Sequence, residues 1–136
     1  MTLDLSTAYQ QAIYEVYSGK QTIQLRIGEY SPQLNRLLEK HSCTTWTLIT
    51  ASNPHSKRLS ESENRQRNQS LIEFLQPLQL TVIDALGRDK SGSWTPEKSF
   101  FILGIDRLKA IDIGRNFEQN AIVYGELGKP PKLQWL

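Results

Sequence analysis

The sequence predicts an α/β or α+β fold in which a mixed sheet of five to six strands is covered by three to four helices. Two hydrophobic patterns alternate along the chain: amphipathic stretches with helical spacing, and short apolar runs of strand length. Chain length adds a third observation, because 136 residues suit one domain with its own core better than two. We therefore expect residues 1–136 to form a single globular domain.

Composition places the chain among soluble folded proteins. Hydrophobic residues make up 38% and charged residues 22% of the sequence, which is too apolar for a disordered chain. The single cysteine, Cys43, leaves no internal disulfide and suits a reducing compartment. No stretch approaches the roughly 18 apolar residues of a membrane helix, and the amino-terminal segment lacks the basic cluster of a secretory signal. We expect a cytoplasmic protein without a membrane segment.

The first third of the chain predicts two helices and two strands. Apolar residues recur at helical spacing over about residues 6–18, and a glycine after them ends the first helix. Residues 22–27 alternate apolar and polar side chains, which predicts a half-buried strand. Ser31 followed by Pro32 starts a short helix that ends near His41. The segment TTWTLIT is then the second strand.

Three tyrosines, Tyr9, Tyr14 and Tyr17, fall within the predicted first helix. They can be interpreted as an aromatic binding face or as packing residues in the core and at its rim. The packing interpretation is favoured, because aromatic side chains supply much of the burial in a small core.

A loop, ASNPHSKRL, follows the second strand and leads into the third helix. The proline after Asn53 predicts a turn in which Asn53 is extended. Ser60 and Glu63 match the capping-box pattern, in which each side chain accepts a hydrogen bond from a backbone N–H at the helix start. Pro77 ends this helix. Its first half, ESENRQRNQ, is strongly polar, so that end faces solvent or lines a polar site.

The remaining segments predict four more strands, the last of them short, and one more helix. Residues 80–83 supply a third strand, and residues 87–93 form a surface turn. Residues 99–105, SFFILGI, are a continuous apolar run, which is typical of a central strand buried on both faces. Asp106 caps the fourth helix, residues 119–124 form a fifth strand, and the segment KLQWL adds a last short strand.

Several motifs occur in an order that points to one family. They are an alanine–tyrosine pair with a following tyrosine (Ala8, Tyr9, Tyr14), ITASNP with S-x-x-E-N behind it, W-x-x-E (Trp94, Glu97), FFILGI and NFEQNAIVYGE. With them the chain resembles a bacterial family known as domain of unknown function 3293, over about Ala8 to Leu133. Members of that family more often read T-A-W-N-P after the strand, where this chain has Ser52. The resemblance implies a site near these motifs and assigns no reaction.

The residues that several kinds of catalysis need are missing. Soft metal ligands are limited to His41, Cys43 and His55, with no C-x-x-C or H-E-x-x-H spacing, so we expect no metal. Cys43 precedes a buried strand, where a small apolar filler is expected rather than a nucleophile. The eight glycines form neither a phosphate-binding loop nor a dinucleotide fingerprint, and no G-x-S-x-G elbow occurs. We therefore expect no bound cofactor.

A polar cluster remains beyond the carboxyl end of the second strand, at a position where ligands gather in α/β folds. The helix start that follows attracts anions, and Lys57, Arg58, Arg65 and Arg67 would raise the local potential. The expected ligand-binding residues are Asn53, Ser56, Asn64, Trp94, Glu97 and Gln119. Each of them can instead have a structural role in a turn, a helix cap or a surface ion pair. Their expected convergence is the reason to place a site here.

Two functions from different classes fit these residues. The first is a non-catalytic binding module that takes a small polar or anionic ligand, or a protein partner, through the Asn53–Asn64 loop. The alternative is a small hydrolase or transferase in which Glu97 is the general acid or base and the amides are oxyanion or substrate donors. Nucleic acid is an unlikely partner, because a formal charge of +2 is only a slight excess of cations, and the basic residues of the loop and helix are expected to form an ordinary solvated surface.

Overall fold

The computed structural model describes residues 5–92 and 95–136, which form one sheet and four α-helices. The helices are α1 (Leu5–Gln11), α2 (Pro32–Lys40), α3 (Glu61–Leu75) and α4 (Arg107–Asn116). The strands are β1 (Ile13–Ser18), β2 (Gln21–Arg26), β3 (Thr45–Ile49), β4 (Thr81–Arg88), β5 (Glu97–Leu103), β6 (Ala121–Glu126) and β7 (Lys132–Trp135). Two short 3₁₀ turns, Pro54–Ser56 and Gln76–Leu78, lie on either side of α3.

The seven strands lie in the order β2-β1-β4-β5-β3-β6-β7, and each neighbouring pair is antiparallel. The α+β class was one of the two classes predicted, and four helices lie within the predicted three to four. The prediction of a mixed sheet with five to six strands was wrong, because the sheet has seven strands and all neighbouring pairs are antiparallel. Three hairpins, β1–β2, β4–β5 and β6–β7, account for much of the antiparallel pairing, because a short connection reverses the chain.

The extra strand comes from residues that were predicted to extend the first helix to residue 18. Helix α1 ends at Gln11, and Ile13–Ser18 is β1, which pairs with β2 on one side and β4 on the other. Both helical and strand periods fit this stretch, and burial of β1 between two strands decides in favour of the strand. The predicted surface turn is also shorter than expected, because β4 continues to Arg88.

Helices cover both faces of the sheet and enclose two apolar clusters. Helix α2 packs through Leu37 and Leu38 on the face that carries Trp46, while α3 and α4 cover the opposite face. Strand β5 is buried on both faces, as its continuous apolar run predicted: Phe101 contributes to the first cluster and its neighbour Phe100 to the second. The sheet is therefore the middle layer of three.

The predicted helix starts are confirmed. The Ser31 hydroxyl accepts a hydrogen bond from the Leu34 N–H, with Pro32 at the first helical position. The Ser60 and Glu63 side chains form both bonds of a capping box at the start of α3. The Asp106 carboxylate caps α4. These local bonds fix where each helix begins and therefore where the first turn of α3 lies.

Substitution Gly125→Ala is expected to destabilise the fold. A Cβ on Gly125 would lie 2.5 Å from atoms of the Trp46 indole, which is fully buried and stacks on Phe101 with ring centroids 5.0 Å apart. Because neither ring can move without displacing the core, the free energy of unfolding should fall by about 1–3 kcal/mol in urea titrations. The matched control is Gly87→Ala in β4, whose Cβ would meet its nearest neighbour at an ordinary 3.4 Å. Equal stabilities of the two variants would contradict this packing.

Candidate functional site

A cavity of about 380 Å³ lies between α1, the sheet and the loop that follows β3. Its walls are mainly apolar and include Leu48, Val123 and Leu133. Its polar groups come from α1, β1, the loop after β3, β5 and the segment before β6; they are Tyr9, Tyr14, Asn53, Ser56, Arg58, Glu97 and Gln119, among others. The volume and the mixture of apolar walls with a few polar groups are typical of small-molecule sites.

A second, larger groove of about 700 Å³ lies beside the cavity, between the amino-terminal half of α3 and the start of β5. Asn53 and Glu97 line both spaces. Asn64, in the first turn of α3, lines only the groove. The hydrogen-bonded side chains of Asn53 and Glu97 therefore lie between the cavity and the groove.

Strand register places Tyr14 and Glu97 on the same face of the sheet. Tyr14 of β1 pairs with Gly87 of β4, and Gly87 pairs with Glu97 of β5. Directly opposite residues in antiparallel strands project their side chains to the same face. Gly87 has no side chain, so the Tyr14 ring lies over it, 3.4 Å from the position that a Cβ would take. A larger residue at the centre of this row would separate the phenol from the carboxylate.

The Asn53 side chain joins three parts of the chain. Its Oδ1 accepts hydrogen bonds from the Leu59 N–H and from Asn64 Nδ2, both at 2.9 Å. Its Nδ2 donates to Glu97 Oε1 at 3.0 Å, and its backbone N–H donates to Asn64 Oδ1 at 2.8 Å. Both polar atoms of the side chain thus form hydrogen bonds within the protein, and through Nδ2 Asn53 positions Glu97.

The backbone at Asn53 is left-handed, with φ 49° and ψ 66°, and the predicted extended geometry was wrong. The following proline disfavours only the right-handed helical region, and asparagine tolerates the left-handed one. His55 (φ 52°) and Ser56 (φ 61°) are left-handed as well. A left-handed backbone on both sides of a proline costs conformational free energy, so the surrounding hydrogen bonds must hold the loop in this conformation.

Bonds from α1 and from the segment after α4 hold this strained loop. The His55 N–H donates to the Glu118 carbonyl at 2.7 Å. The Ser56 hydroxyl lies 2.9 Å from the Tyr9 hydroxyl and accepts a hydrogen bond from Asn120 Nδ2 at 2.8 Å. The loop is therefore tied to the element that forms one wall of the cavity.

Buried amides and one arginine hold the backbone just before Asn53. Asn68 of α3 accepts from the Ala51 N–H and donates to the Ser52 hydroxyl, both at 2.9 Å. Gln119, which is 9% exposed, donates to the Ser52 carbonyl at 3.1 Å. Arg67 donates to the Ala51 carbonyl at 2.6 Å. These polar residues thus hold the loop in place, and Arg67 is engaged with backbone carbonyls instead of facing a ligand.

Glu97 and Tyr14, unlike the amides and Arg67, have polar atoms without hydrogen-bond partners among the described residues. Burial raises the pKa of Glu97 above its ordinary value, and the hydrogen bond from Asn53 opposes that rise. Burial, with smaller effects of Tyr9 and Glu97, raises the pKa of Tyr14 far above its ordinary value, so the phenol stays neutral. Tyr14 is 9% exposed, and its hydroxyl makes no hydrogen bond to another residue among those described. Both groups border the cavity with hydrogen-bonding capacity to spare.

The structure brings four of the six predicted site residues to the cavity: Asn53, Ser56, Glu97 and Gln119. Asn64 lies in the adjoining groove, and Trp94 lies outside the described residues. Gln119 precedes β6, which begins at Ala121 rather than at residue 119 as predicted.

Tyr9 and Tyr14 line the cavity, although packing was favoured for them over an aromatic binding face and neither was predicted as a site residue; Tyr14 also packs in the first apolar cluster, as that interpretation holds. The signal that identifies Tyr14 is the segment IYEVYSGKQTIQL, in which aromatic and β-branched residues lie on both sides of a glycine-containing turn. Such a pattern is typical of a hairpin. Ser18 pairs with Gln21 across that turn.

Residues 5–92 and 95–136 contain no group of three or more His, Cys, Asp or Glu side chains that could hold a metal ion. Cys43 is partly buried beside the first apolar cluster, and its thiol donates to the His41 carbonyl at 3.3 Å. In the same part of the chain, no helix combines the length and the apolar character that crossing a membrane requires.

A comparison with protein-family models gives a match. A family model described as "Protein of unknown function (DUF3293)" matches residues 49–122, more than half of the chain, from the end of β3 into β6. This confirms the resemblance found in the sequence, and the matched range contains Asn53, Asn64, Glu97 and Gln119. No curated protein and no solved structure matches the chain.

Substitution Asn53→Ala is expected to lower the free energy of unfolding by on the order of 2–4 kcal/mol. It leaves the Leu59 N–H and the Asn64 amide without their acceptor and places an alanine in the left-handed region. The variant Asn53→Gly separates the two causes, because glycine adopts the left-handed conformation freely; it should be less destabilised than Asn53→Ala by about 1 kcal/mol. Urea denaturation measures both variants. Wild-type stability of Asn53→Ala would show that the network does not hold the loop.

Proposed function

The chain belongs to the DUF3293 family, and because that description assigns no activity, we propose from the geometry of the site that the protein binds a small organic molecule in the 380 Å³ cavity. One observation carries the proposal: Tyr14 and Glu97 present polar atoms to a mainly apolar cavity, and neighbouring residues satisfy them incompletely. A ligand in the cavity would supply hydrogen-bond partners to these atoms in place of water.

The Asn53–Asn64 loop has an indirect part in ligand binding. Its amides position Glu97 and close one side of the cavity, and the ligand would contact Glu97 and Tyr14 instead. Because the loop is fixed by hydrogen bonds before a ligand arrives, little conformational entropy would be lost on binding. A small polar ligand, as the sequence suggested, remains suited to the site. An anion has less support, because Arg67 is engaged with backbone carbonyls and Glu97 is itself acidic.

Filling the cavity should abolish binding. Ala121 of β6 lines the cavity wall, and Ala121→Leu places additional carbon atoms inside it. In ligand-detected NMR of a set of small aromatic and aliphatic fragments, molecules that bind the wild-type protein should bind Ala121→Leu at least about tenfold more weakly. The control is Thr22→Leu on the exposed side of β2, which should bind as the wild type does. Fragments that bind Ala121→Leu with unchanged affinity, or a set without any binder, would refute the proposal.

A second candidate function is favoured by the environment of Glu97. A carboxyl group whose pKa is raised by burial, and which borders a cavity, has the properties of a general acid or base. Asn53 holds one carboxylate oxygen at 3.0 Å, and this fixes the orientation of the group. The second candidate function is therefore that of a small hydrolase or transferase. Its test is turnover of chromogenic esters and glycosides that disappears in Glu97→Gln; turnover that survives this substitution would rule out the role.

Glu97→Gln should not destabilise the protein near neutral pH. The folded-state pKa of Glu97 is raised above the unfolded value, so folding favours the protonated form. The ionised carboxylate therefore opposes folding above the folded-state pKa, and this opposition is lost as the pH falls through the folded-state pKa toward the unfolded one. Since Glu97→Gln is neutral at every pH and retains an oxygen for Asn53, it should equal or exceed the wild type in stability at about pH 7.

The measurement is urea denaturation of both proteins at several pH values from about pH 7 down to about pH 3, where the two stabilities should converge. The control is Glu73→Gln, at an exposed position of α3, which reports the effect of losing a surface charge alone. A marked loss of stability in Glu97→Gln at neutral pH would mean that the ionised carboxylate contributes to folding and is not held for a ligand.

A further inference from the structure

Glu97 is the one acidic residue among the described residues that line the cavity. Its carboxylate accepts a hydrogen bond from Asn53, and within the described ranges it forms no ion pair. Acidic residues on two other strands of the sheet are paired: Glu15 of β1 lies 3.5 Å from Arg88, and Asp84 of β4 lies 2.9 Å from Lys98. Both of these carboxylates thus have an ion-pair partner, whereas Glu97 has none among the described residues.

The Tyr14 hydroxyl lies in the same cross-strand row and is also without a hydrogen-bond partner among the described residues. A neutral phenol can accept a hydrogen bond through its oxygen. The cavity thus offers two acceptors on one face of the sheet, one of them a carboxylate, beside an apolar wall formed by Leu48, Val123 and Leu133.

We infer that the molecule bound in the cavity is a primary amine with a compact apolar group, whose ammonium donates to the Glu97 carboxylate and the Tyr14 hydroxyl while the apolar group packs against the wall. This inference rests on the proposed function, because it specifies the chemical class of the same ligand. An ammonium has three donors and a positive charge, so it can satisfy both acceptors at once.

Other ligand classes fit these two groups less well. A carboxylate would be repelled by Glu97, and an alcohol has a single donor and no charge to offset a partly buried carboxylate. The rings of Tyr9 and Tyr14 also border the cavity and favour a cation over an anion.

The charged and titratable groups around Glu97 do not cancel this preference. Arg58, from the loop, also lines the cavity, but its guanidinium is solvent-exposed and donates to Thr95 Oγ1 at 2.8 Å. Solvent screens it from the cavity interior. The other titratable groups that line the cavity are the phenols of Tyr14 on β1 and Tyr9 on α1. Because burial raises the pKa of Glu97 and a bound cation would lower it, amine affinity should fall as the pH falls through the free-state pKa.

The test uses three molecules with one carbon skeleton: phenethylamine, phenethyl alcohol and phenylacetate. Titration calorimetry or NMR titration of the full chain, at neutral pH and fixed ionic strength, should give an affinity for the amine at least about tenfold above that for the alcohol. Phenylacetate should bind more weakly than either. Lowering the pH below the free-state pKa of Glu97 should reduce amine affinity and leave alcohol affinity nearly unchanged.

Matched variants identify the groups that recognise the amine. Glu97→Gln should weaken amine binding about tenfold or more and alter alcohol binding little, and Tyr14→Phe should weaken amine binding several-fold. The controls are Glu61→Gln, at an exposed position of α3, and Tyr17→Phe on β1, both of which should bind as the wild type does. Both test substitutions keep the shape of the side chain, and the melting temperature of each variant checks that it is folded.

The outcomes separate this inference from the proposed function. Alcohol or phenylacetate binding that equals amine binding, and that Ala121→Leu blocks, would overturn the amine assignment while leaving cavity binding intact. The amine assignment is also overturned if the three molecules fail to bind while other fragments bind in the cavity. If no fragment binds, the proposed function is refuted and the amine assignment with it.

Discussion

The hydrogen bonds of Asn53 are the interaction on which the rest of the site depends. One side chain connects the loop at Leu59, helix α3 at Asn64 and strand β5 at Glu97. Leu59 and Asn64 are close to each other in sequence, whereas Glu97 begins β5 in the distant β4–β5 hairpin. The capping box at the start of α3 fixes the first turn of that helix and so fixes Asn64. The capping box at the start of α3 therefore helps to orient the Glu97 carboxylate on β5, through Asn64 and Asn53.

Much of this arrangement could be predicted, because it rests on local signals. Helix starts at Ser31, Ser60 and Asp106 follow from side chains that satisfy backbone donors a few residues away, and the buried central strand follows from an uninterrupted apolar run. Strand β1 could not be separated from a helix by period alone, since its stability comes from pairing with β4, about seventy positions later. The direction of that pairing and the place of Tyr14 in the site depend on this distant contact.

The residues of the site were easier to predict than their roles. Sequence indicates which side chains carry donors and acceptors, but only the fold determines which of them already have partners. Asn53, Asn64 and Gln119 direct their amides at the protein itself, and those bonds hold the left-handed backbone at Asn53. Glu97 and Tyr14 can form further hydrogen bonds, because not all of their polar atoms have partners among the described residues. Asn53 is therefore a positioning residue, and Tyr14, for which packing was the favoured interpretation, has a hydroxyl without a hydrogen-bond partner among the described residues.

Local costs occur beside the cavity, and also at Ser42 and Gln79, whose backbones are left-handed, and at Trp46, whose buried indole Nε1 has no hydrogen-bond partner in the described part of the chain. Within four positions the loop contains three left-handed residues that are not glycine, and β5 begins with a partly buried carboxylate whose ionised form opposes folding. Elsewhere in the described part of the chain, the caps of α3 and α4 are satisfied and the acids of β1 and β4 are paired. The loop and Glu97 both border the cavity. A ligand that completes the partners of Glu97 and Tyr14 would remove part of that cost and so stabilise the folded state through its own binding, which couples occupancy of the cavity to the stability of the whole sheet.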